Sequence, residues 1–219
     1  MDSRPSFRIA VFAFAFIGIS VAGCAYYWSL LRTSQAQELR VARERTEARA
    51  NQLQEAAAQQ FDATVRSIDT ALKYLRVVYV GDRGNFDRAA HDVLRTYPKG
   101  MLQFVTVFGP DGYLAYASSG QRERIYFGDR EHFRVHLDDK QDELFISKPI
   151  IGRIAGVPLI QFTRAIHDGR RFLGVVGIPV RADYLAAAFG ALRVAPDDLL
   201  AVIRSDGGFL ARNRGLETR

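Results

Sequence analysis

The sequence predicts an α+β protein in which a long N-terminal helix precedes an antiparallel sheet with flanking helices. Three observations lead to this prediction. An uncharged apolar run lies near the start of the chain, a segment without proline or glycine follows it, and short apolar stretches separated by turn signals fill the remainder. Helices and strands that are segregated along a chain favour an antiparallel sheet over a parallel one, in which they would alternate.

The apolar run from Ile9 to Leu31 contains no charged residue and is flanked by Arg8 and Arg32. A helix needs about 20 apolar residues to cross the hydrocarbon core of a bilayer. The aromatic cluster at 26–28 is typical of the boundary between lipid and water. The run therefore predicts a transmembrane signal anchor over 9–31, with residues 1–8 in the cytoplasm of a single-pass protein of the bacterial inner membrane.

Two alternatives to the signal anchor stay open at this point. A cleaved secretory signal usually has a shorter apolar core, of roughly 7–15 residues. A lipoprotein signal is the other alternative, because the stretch VAGC at 21–24 resembles a bacterial lipobox and would place a lipid on Cys24. Arginines lie on both sides of the run, so charge alone leaves its orientation ambiguous.

The charge pattern argues against a nucleic-acid-binding protein. The net charge is +6, but the arginines are scattered and alternate with acidic residues, and no basic helix is interleaved with aromatic residues. Cys24 is the single cysteine of the chain, which excludes a disulfide framework and a cysteine-based zinc site.

The segment 32–80 is predicted to be one long helix. Its second part carries apolar residues at alternating steps of four and three, which is the spacing of one helical stripe, at Phe61, Val65, Ile68, Leu72, Leu75 and Tyr79. Before Leu53 the stripe fades into polar residues and alanine, so we expect a solvated stalk there and packing on a domain afterwards. A homodimer through this helix is expected. A coiled-coil seam along its whole length is the alternative.

After Gly81 the pattern changes to strands and turns. The run LQFVTVF at 102–108, the turn GPDG and the run YLAYASS at 113–119 predict strand, tight turn and strand, because proline presets φ and glycine accepts a positive φ. The stretch 129–136 is poor in strand-forming residues and is predicted to be a short helix, with Asp129 as its N-cap.

Three further strands and a hairpin complete the expected sheet. The strands are ELFISKPI at 143–150, GVPLIQFTRAI at 156–166 and RFLGVVGIPV at 171–180, and HDGRR joins the last two as a hairpin. A helix is predicted over 181–193, and LLAVIRSDGGFLAR at 199–212 predicts a final strand–turn–strand. The sequence has no glycine-rich phosphate-binding loop.

The order of features over 126–189 resembles the membrane-distal half of double Cache sensor domains. Such domains lie outside the membrane in bacterial diguanylate cyclases, sensor histidine kinases and chemoreceptors. The matching features are Asp129-Arg130 before Phe133, Lys148-Pro149, Gly152-Arg153 with Gly156, Thr163-Arg164, and Phe172 with Gly174-Val175-Val176.

This resemblance implies a PAS-like sheet and an extracytoplasmic domain with a small-molecule pocket. Residues 81–192 would form the membrane-distal subdomain, and 193–219 would be the start of a second PAS-like half that is C-terminally truncated. The expected function is a membrane-anchored sensor of a small ligand that lacks its output domain and is not itself an enzyme. The alternatives are an N-terminal fragment of a diguanylate cyclase or histidine kinase, and a non-signalling lipoprotein or scaffold.

The resemblance also indicates ligand-binding residues in the stretch YFGDREHFRVH at 126–136. In the amino-acid-binding branch of the family, an arginine followed two residues later by adjacent aromatics holds the ligand carboxylate, and Arg130 stands in that relation to His132 and Phe133. A guanidinium fork makes two parallel hydrogen bonds to a carboxylate. The full set of candidates is Tyr126, Asp129, Arg130, His132, Phe133 and Arg164.

That branch binds the ligand amine through an aspartate on a late strand, where this chain has Pro179. Proline has neither charge nor a backbone donor, so we expect a small organic anion without an amine. In the simpler structural alternative, Asp129 caps the short helix and Arg130 pairs with Asp168 or another acid.

Metal-binding and catalytic interpretations are weaker. His132 and His136 would share a helix face, but Phe133 occupies the position at which a zincin has its glutamate. No Gly-x-Ser-x-Gly nucleophile motif occurs. The sequence therefore predicts no metal site, no cofactor and no catalytic residue.

Overall fold

The computed structural model describes residues 4–137, 142–204 except 191–200, and 206–212. The chain divides into two compact units, 1–55 and 56–219. The first consists of the N-terminal part of one helix, α1, which extends over Arg4–Gly81.

In the part of the chain that the structure describes, no helix is long and apolar enough to cross a membrane. The anchor predicted for 9–31 is thus not confirmed.

The second unit contains the C-terminal part of α1 and every other element. After a 3-10 turn at Arg83–Asn85 come α2 (Phe86–Thr96), β1 (Thr106–Phe108), β2 (Leu114–Ala117), α3 (Glu131–Arg134), β3 (Phe145–Ile146), β4 (Ile150–Ile151), β5 (Pro158–Asp168), β6 (Arg171–Arg181), α4 (Ala182–Gly190), β7 (Ala201–Ile203) and β8 (Phe209–Arg212).

The strands form an antiparallel sheet, as the sequence predicts. Its order is β2-β1-β6-β5-β3, with β4 also paired to β5. β7 and β8 pair with each other in a separate two-stranded sheet. The long β5–β6 hairpin is the centre of the main sheet, and it turns at Gly169, whose φ of 59° suits glycine.

The helix-side face of the sheet carries the larger core. The stripe predicted on α1 is buried there at Ile68, Leu72, Leu75 and Tyr79, together with one face of α2. Even-numbered residues of β5 and β6, such as Phe162 and Ile178, point to this face because strand side chains alternate. A smaller cluster, formed by Phe108, Phe127, Phe133 and Val175, lies on the opposite face.

Three local expectations need correction. The N-cap of α3 is Arg130, with no side-chain cap hydrogen bond, and not Asp129. The strand predicted over 143–150 is split into β3 and β4, with Pro149, which has no backbone donor, just before β4. The helix predicted over 181–193 is described only as far as Gly190, and its last residues lie outside the described part of the chain.

Candidate functional site

The candidate site lies on the sheet face opposite α1, which we call the site face. Odd-numbered residues of β5 and β6 point to it, and so do Thr106 and Phe108 of β1. Register places Thr106, Gly177 and Thr163 side by side across three strands. A Cβ at Gly177 would lie 3.1 Å from Thr106 Oγ1 and 3.2 Å from Thr163 Cγ2, so a side chain there would fit only if the two threonines moved apart by a few tenths of an ångström.

The segment 126–136 is fastened to the site face through Thr163. The Thr163 hydroxyl donates to the carbonyl of His132 at 3.1 Å, and it also lies 2.9 Å from Nε2 of His136. A threonine hydroxyl has one hydrogen, so Nε2 of His136 is the donor in the second bond. The one hydrogen of the hydroxyl is thus used, and α3 is held against the sheet.

His132 is buried, with 2% of its surface exposed. Its ring centroid lies 5.7 Å from that of Phe108 and 6.3 Å from that of Phe127. Burial, reinforced by the positive charge of Arg130, lowers the pKa of His132 to about 4. The imidazole is therefore neutral at pH 7, and its buried Nε2 has no hydrogen-bond partner among the described residues.

Gln161 is the second buried polar residue of the site face. Its backbone N–H donates to Ser147 Oγ at 2.9 Å, but its side-chain Oε1 is buried and has no hydrogen-bond partner among the described residues. A buried acceptor without a partner costs about 1–3 kcal/mol, and native proteins seldom carry one without a bound water or ligand. Sequence reasoning missed Gln161. Its one signal is a polar residue in the middle of the apolar run PLIQF.

Arg153 holds the segment 126–129 from the loop that follows β4. Its guanidinium donates two hydrogen bonds to the Asp129 carboxylate, at 2.8 and 2.6 Å, and a third to the carbonyl of Tyr126. The hydrogen bonds from Arg153 hold the pKa of Asp129 below its usual value. Asp129 is thus engaged by a neighbouring cation and is not a free ligand group.

Arg130 is half-buried beside this pair and has no ion-pair partner among the described residues. Its charge acts on its neighbours, because it contributes to the low pKa values of both His132 and Asp129. Tyr126 lies at the rim, with 46% of its surface exposed and its ring 5.0 Å from that of Tyr113. Phe133 is buried in the smaller apolar cluster.

Arg164 lies on the opposite face of the sheet. It is buried against α1, where it pairs with Asp69 and also with Asp142. The structure thus brings together Tyr126, Asp129, Arg130, His132 and Phe133 and separates Arg164 from them. No group of three or more His, Cys, Asp or Glu side chains among the described residues could hold a metal ion.

No family model matches the chain, and no curated protein matches it. Solved structures do match. The extracellular domain of rpHK1S-Z16, assigned as a histidine kinase, superposes with a TM-score of 0.63 at 24% identity, over 78% of this chain and 71% of that one. The ligand-binding domain of the Campylobacter jejuni chemoreceptor Tlp3, in complex with 4-methylisoleucine, superposes with a TM-score of 0.57 at 11% identity, over 74% of this chain and 67% of that one.

A third match is the ligand-binding domain of the Pseudomonas aeruginosa amino acid chemoreceptor PctC in complex with GABA. It gives a TM-score of 0.55 at 13% identity, over 73% of this chain and 70% of that one. The fold is therefore that of the extracellular sensor and ligand-binding domains of histidine kinases and chemoreceptors.

Proposed function

We propose that this chain is an extracytoplasmic sensor of the double Cache type that binds a small organic anion on the site face. One observation carries the proposal. Among the described residues, the half-buried Arg130 has no ion-pair partner and lies close to His132, whose buried Nε2 has no hydrogen-bond partner, and the buried Oε1 of Gln161 on the same sheet face has none either. Buried polar groups are normally hydrogen-bonded, so this combination favours a bound ligand.

The chemistry of the site favours an anion. Arg130 offers a planar fork of donors that matches a carboxylate. His132 and Phe133 exclude water from around that charge, and Tyr126 contributes a hydroxyl at the rim. In this proposal Asp129 acts indirectly, by holding Arg153, and Arg164 secures the long helix.

Two described residues of the site argue against an amino acid as the ligand. The carboxylate of Asp129 is already paired with Arg153, and Pro179 lies opposite Gln161 in the β5–β6 register. The Tlp3 and PctC structures hold 4-methylisoleucine and GABA, which both carry an ammonium group. We propose that this chain departs from them and takes an anion without one.

Around this site we propose the arrangement that the sequence resemblance implies. Residues 9–31 anchor the chain in the inner membrane, the domain lies outside, and the long helix mediates a homodimer. Residues 81–192 form the membrane-distal subdomain, and 193–219 belong to a membrane-proximal one. The output would come from a cyclase or kinase region, or from a partner. A lipid on Cys24 is the alternative anchor, which lipid labelling of a Cys24→Ala variant tests.

The test of the function is calorimetric titration of the full chain, purified in detergent, with a panel of small carboxylates. We expect saturable binding that Arg130→Ala weakens more than tenfold, because a charge-assisted bidentate pair is lost. Arg134→Ala is the matched control, since Arg134 lies on the same helix but is exposed. No carboxylate binding, or equal loss in both variants, contradicts the proposal.

A further inference from the structure

Besides Arg130, two buried polar groups of the site face have no hydrogen-bond partner among the described residues, and both are uncharged. Thr163 has already used its one hydroxyl hydrogen on the carbonyl of His132 and accepts from His136, so it has no donor left for a ligand. Gln161 lies two residues away on the same face of β5, about 7 Å along the strand. Its side-chain Oε1 is buried and makes no hydrogen bond among the described residues, and neither does Nε2 of the neutral His132. Gln161 and His132 can therefore form hydrogen bonds with the part of the ligand that Arg130 does not hold.

A glutamine amide selects for a neutral oxygen substituent. It has an acceptor oxygen and two N–H donors, so it can accept from a hydroxyl or donate to a carbonyl. An ammonium in the same place would meet the uncharged amide of Gln161 and the neutral imidazole of His132, and neither supplies the counter-charge that a buried cation needs. Across the hairpin, Pro179 supplies no donor and no charge.

The surroundings favour a compact ligand. Phe108, Phe127 and Phe133 pack together with Val175 beside His132. The loop after β4 adds Ile154 to the same cluster, and Arg153 ties that loop to Asp129. Apolar side chains thus occupy the space next to the polar groups.

We propose that the ligand is a small hydroxy- or oxo-carboxylate, with its carboxylate on Arg130 and its neutral oxygen substituent on the amide of Gln161, beside His132. This inference rests on the proposed function and adds the ligand class. It assigns to Gln161 the role of a specificity-determining residue that distinguishes a neutral oxygen from an ammonium.

The test uses acids of equal size that differ in one substituent. The full chain in detergent is titrated calorimetrically with propionate, lactate, pyruvate and alanine, and then with the four-carbon set of succinate, malate, oxaloacetate and aspartate. We expect the hydroxy or oxo acid of at least one set to bind about tenfold more tightly than the unsubstituted acid, the value of one buried hydrogen bond. The amino acid is expected to bind most weakly.

Two variants of Gln161 test whether this residue causes the preference for the hydroxy or oxo acid. Gln161→Leu should remove the preference for the hydroxy or oxo acid and leave the affinity for propionate or succinate within about twofold. Gln161→Glu should reverse the order and favour the amino acid, because a carboxylate now faces the substituent. Reversal by Gln161→Glu cannot arise from misfolding, since it is a gain of binding.

The outcomes separate the two proposals. Equal affinity for substituted and unsubstituted acids, or tightest binding of the amino acid by the unaltered chain, overturns the ligand class and leaves the sensor function standing. A hydroxy-acid preference that survives in Gln161→Leu overturns the role of Gln161. Failure of all eight acids to bind overturns both the function and the inference.

Discussion

The buried Arg164 of β5 forms an ion pair with the half-buried Asp69 of α1 on the face of the sheet opposite the candidate site. The preceding residue, Thr163, points the other way and holds the carbonyl of His132. Consecutive residues of one strand therefore fasten the long helix on one face and the site segment on the other, because strand side chains alternate.

The ion pair should matter for stability. Burial alone would raise the pKa of Asp69, but hydrogen bonds from Arg164 and Lys73 outweigh that effect and hold it below its usual value. We expect Arg164→Ala to lower the free energy of unfolding by about 1.5–3 kcal/mol, because the charged hydrogen bonds from Arg164 to Asp69 and Asp142 are lost, although Asp69 keeps Lys73 at 2.8 Å. Urea unfolding monitored by circular dichroism measures this change.

Arg181→Ala is the control for that measurement. Arg181 pairs with Asp183 in an exposed position at the end of the neighbouring strand, and exposed pairs contribute about 0–1 kcal/mol. The double variant Arg164→Leu with Asp69→Leu should recover much of the lost stability, since replacing both charges by apolar groups is often neutral. Similar losses for Arg164→Ala and Arg181→Ala would refute the assignment.

Unfolding should depend on pH through His132. Its pKa is lowered to about 4 in the folded chain, against an ordinary value of 6.5, so the unfolded state binds more protons between these values. Stability is then complete above pH 6.5 and falls as the pH decreases towards 4, by roughly 3 kcal/mol at about 1.4 kcal/mol per pKa unit. The lowered carboxyl pKa values of Asp69 and Asp142 act only below about pH 3.8.

A His132→Asn variant should flatten this pH dependence. Melting temperatures of both proteins at intervals from pH 7 to 4.5 provide the comparison, and the difference between pH 7 and 4.5 should be much smaller in the variant. The two curves would run parallel if another group caused the loss of stability.

Gly174 should tolerate no side chain. Its φ is 131°, and a Cβ built there would lie 2.0 Å from the carbonyl oxygen of Phe108 on the neighbouring strand. We expect Gly174→Ala to destabilise the fold by more than about 3 kcal/mol, because both strain and a backbone clash result. Gly169→Ala, at a φ of 59° with open space around it, should cost only about 1 kcal/mol. Thermal melting that ranks the two variants in the opposite order would refute this.

The Arg153–Asp129 pair should keep the loop 152–157 closed over the site segment. Breaking it by Asp129→Ala leaves Arg153 only its hydrogen bond to the carbonyl of Tyr126, and the loop keeps its two backbone bonds between Gly152, Gly156 and Val157. We expect faster amide exchange at 152–157 and weaker carboxylate binding in this variant. Hydrogen–deuterium exchange measures the first effect, and Arg124→Ala, which removes an exposed pair with Asp111, is the control. Unchanged exchange at 152–157 would show that the pair does not hold the loop.

Much of the fold was predictable because it follows from local patterns. The steps of three and four from Phe61 to Tyr79 identified the face of α1 that packs on the sheet, and the HDGRR turn identified the β5–β6 hairpin. The sequence did not predict the split between β3 and β4. Apolar residues continue past Pro149, but the ladder of backbone hydrogen bonds is interrupted there.

The sequence by itself determined the helix, the antiparallel sheet and the cluster of candidates at 126–136, since periodicity and turn chemistry act between near neighbours in the chain. Only the tertiary structure decided the partners of the charged and polar side chains. It paired Asp129 with Arg153 and Arg164 with Asp69, and it left Oε1 of Gln161 buried without a hydrogen-bond partner among the described residues. The two ion pairs join residues 24 and 95 positions apart. The alternation of side chains along β5 directs Arg164 to the long helix, the fold brings the loop after β4 to Asp129, and no local pattern encodes either contact.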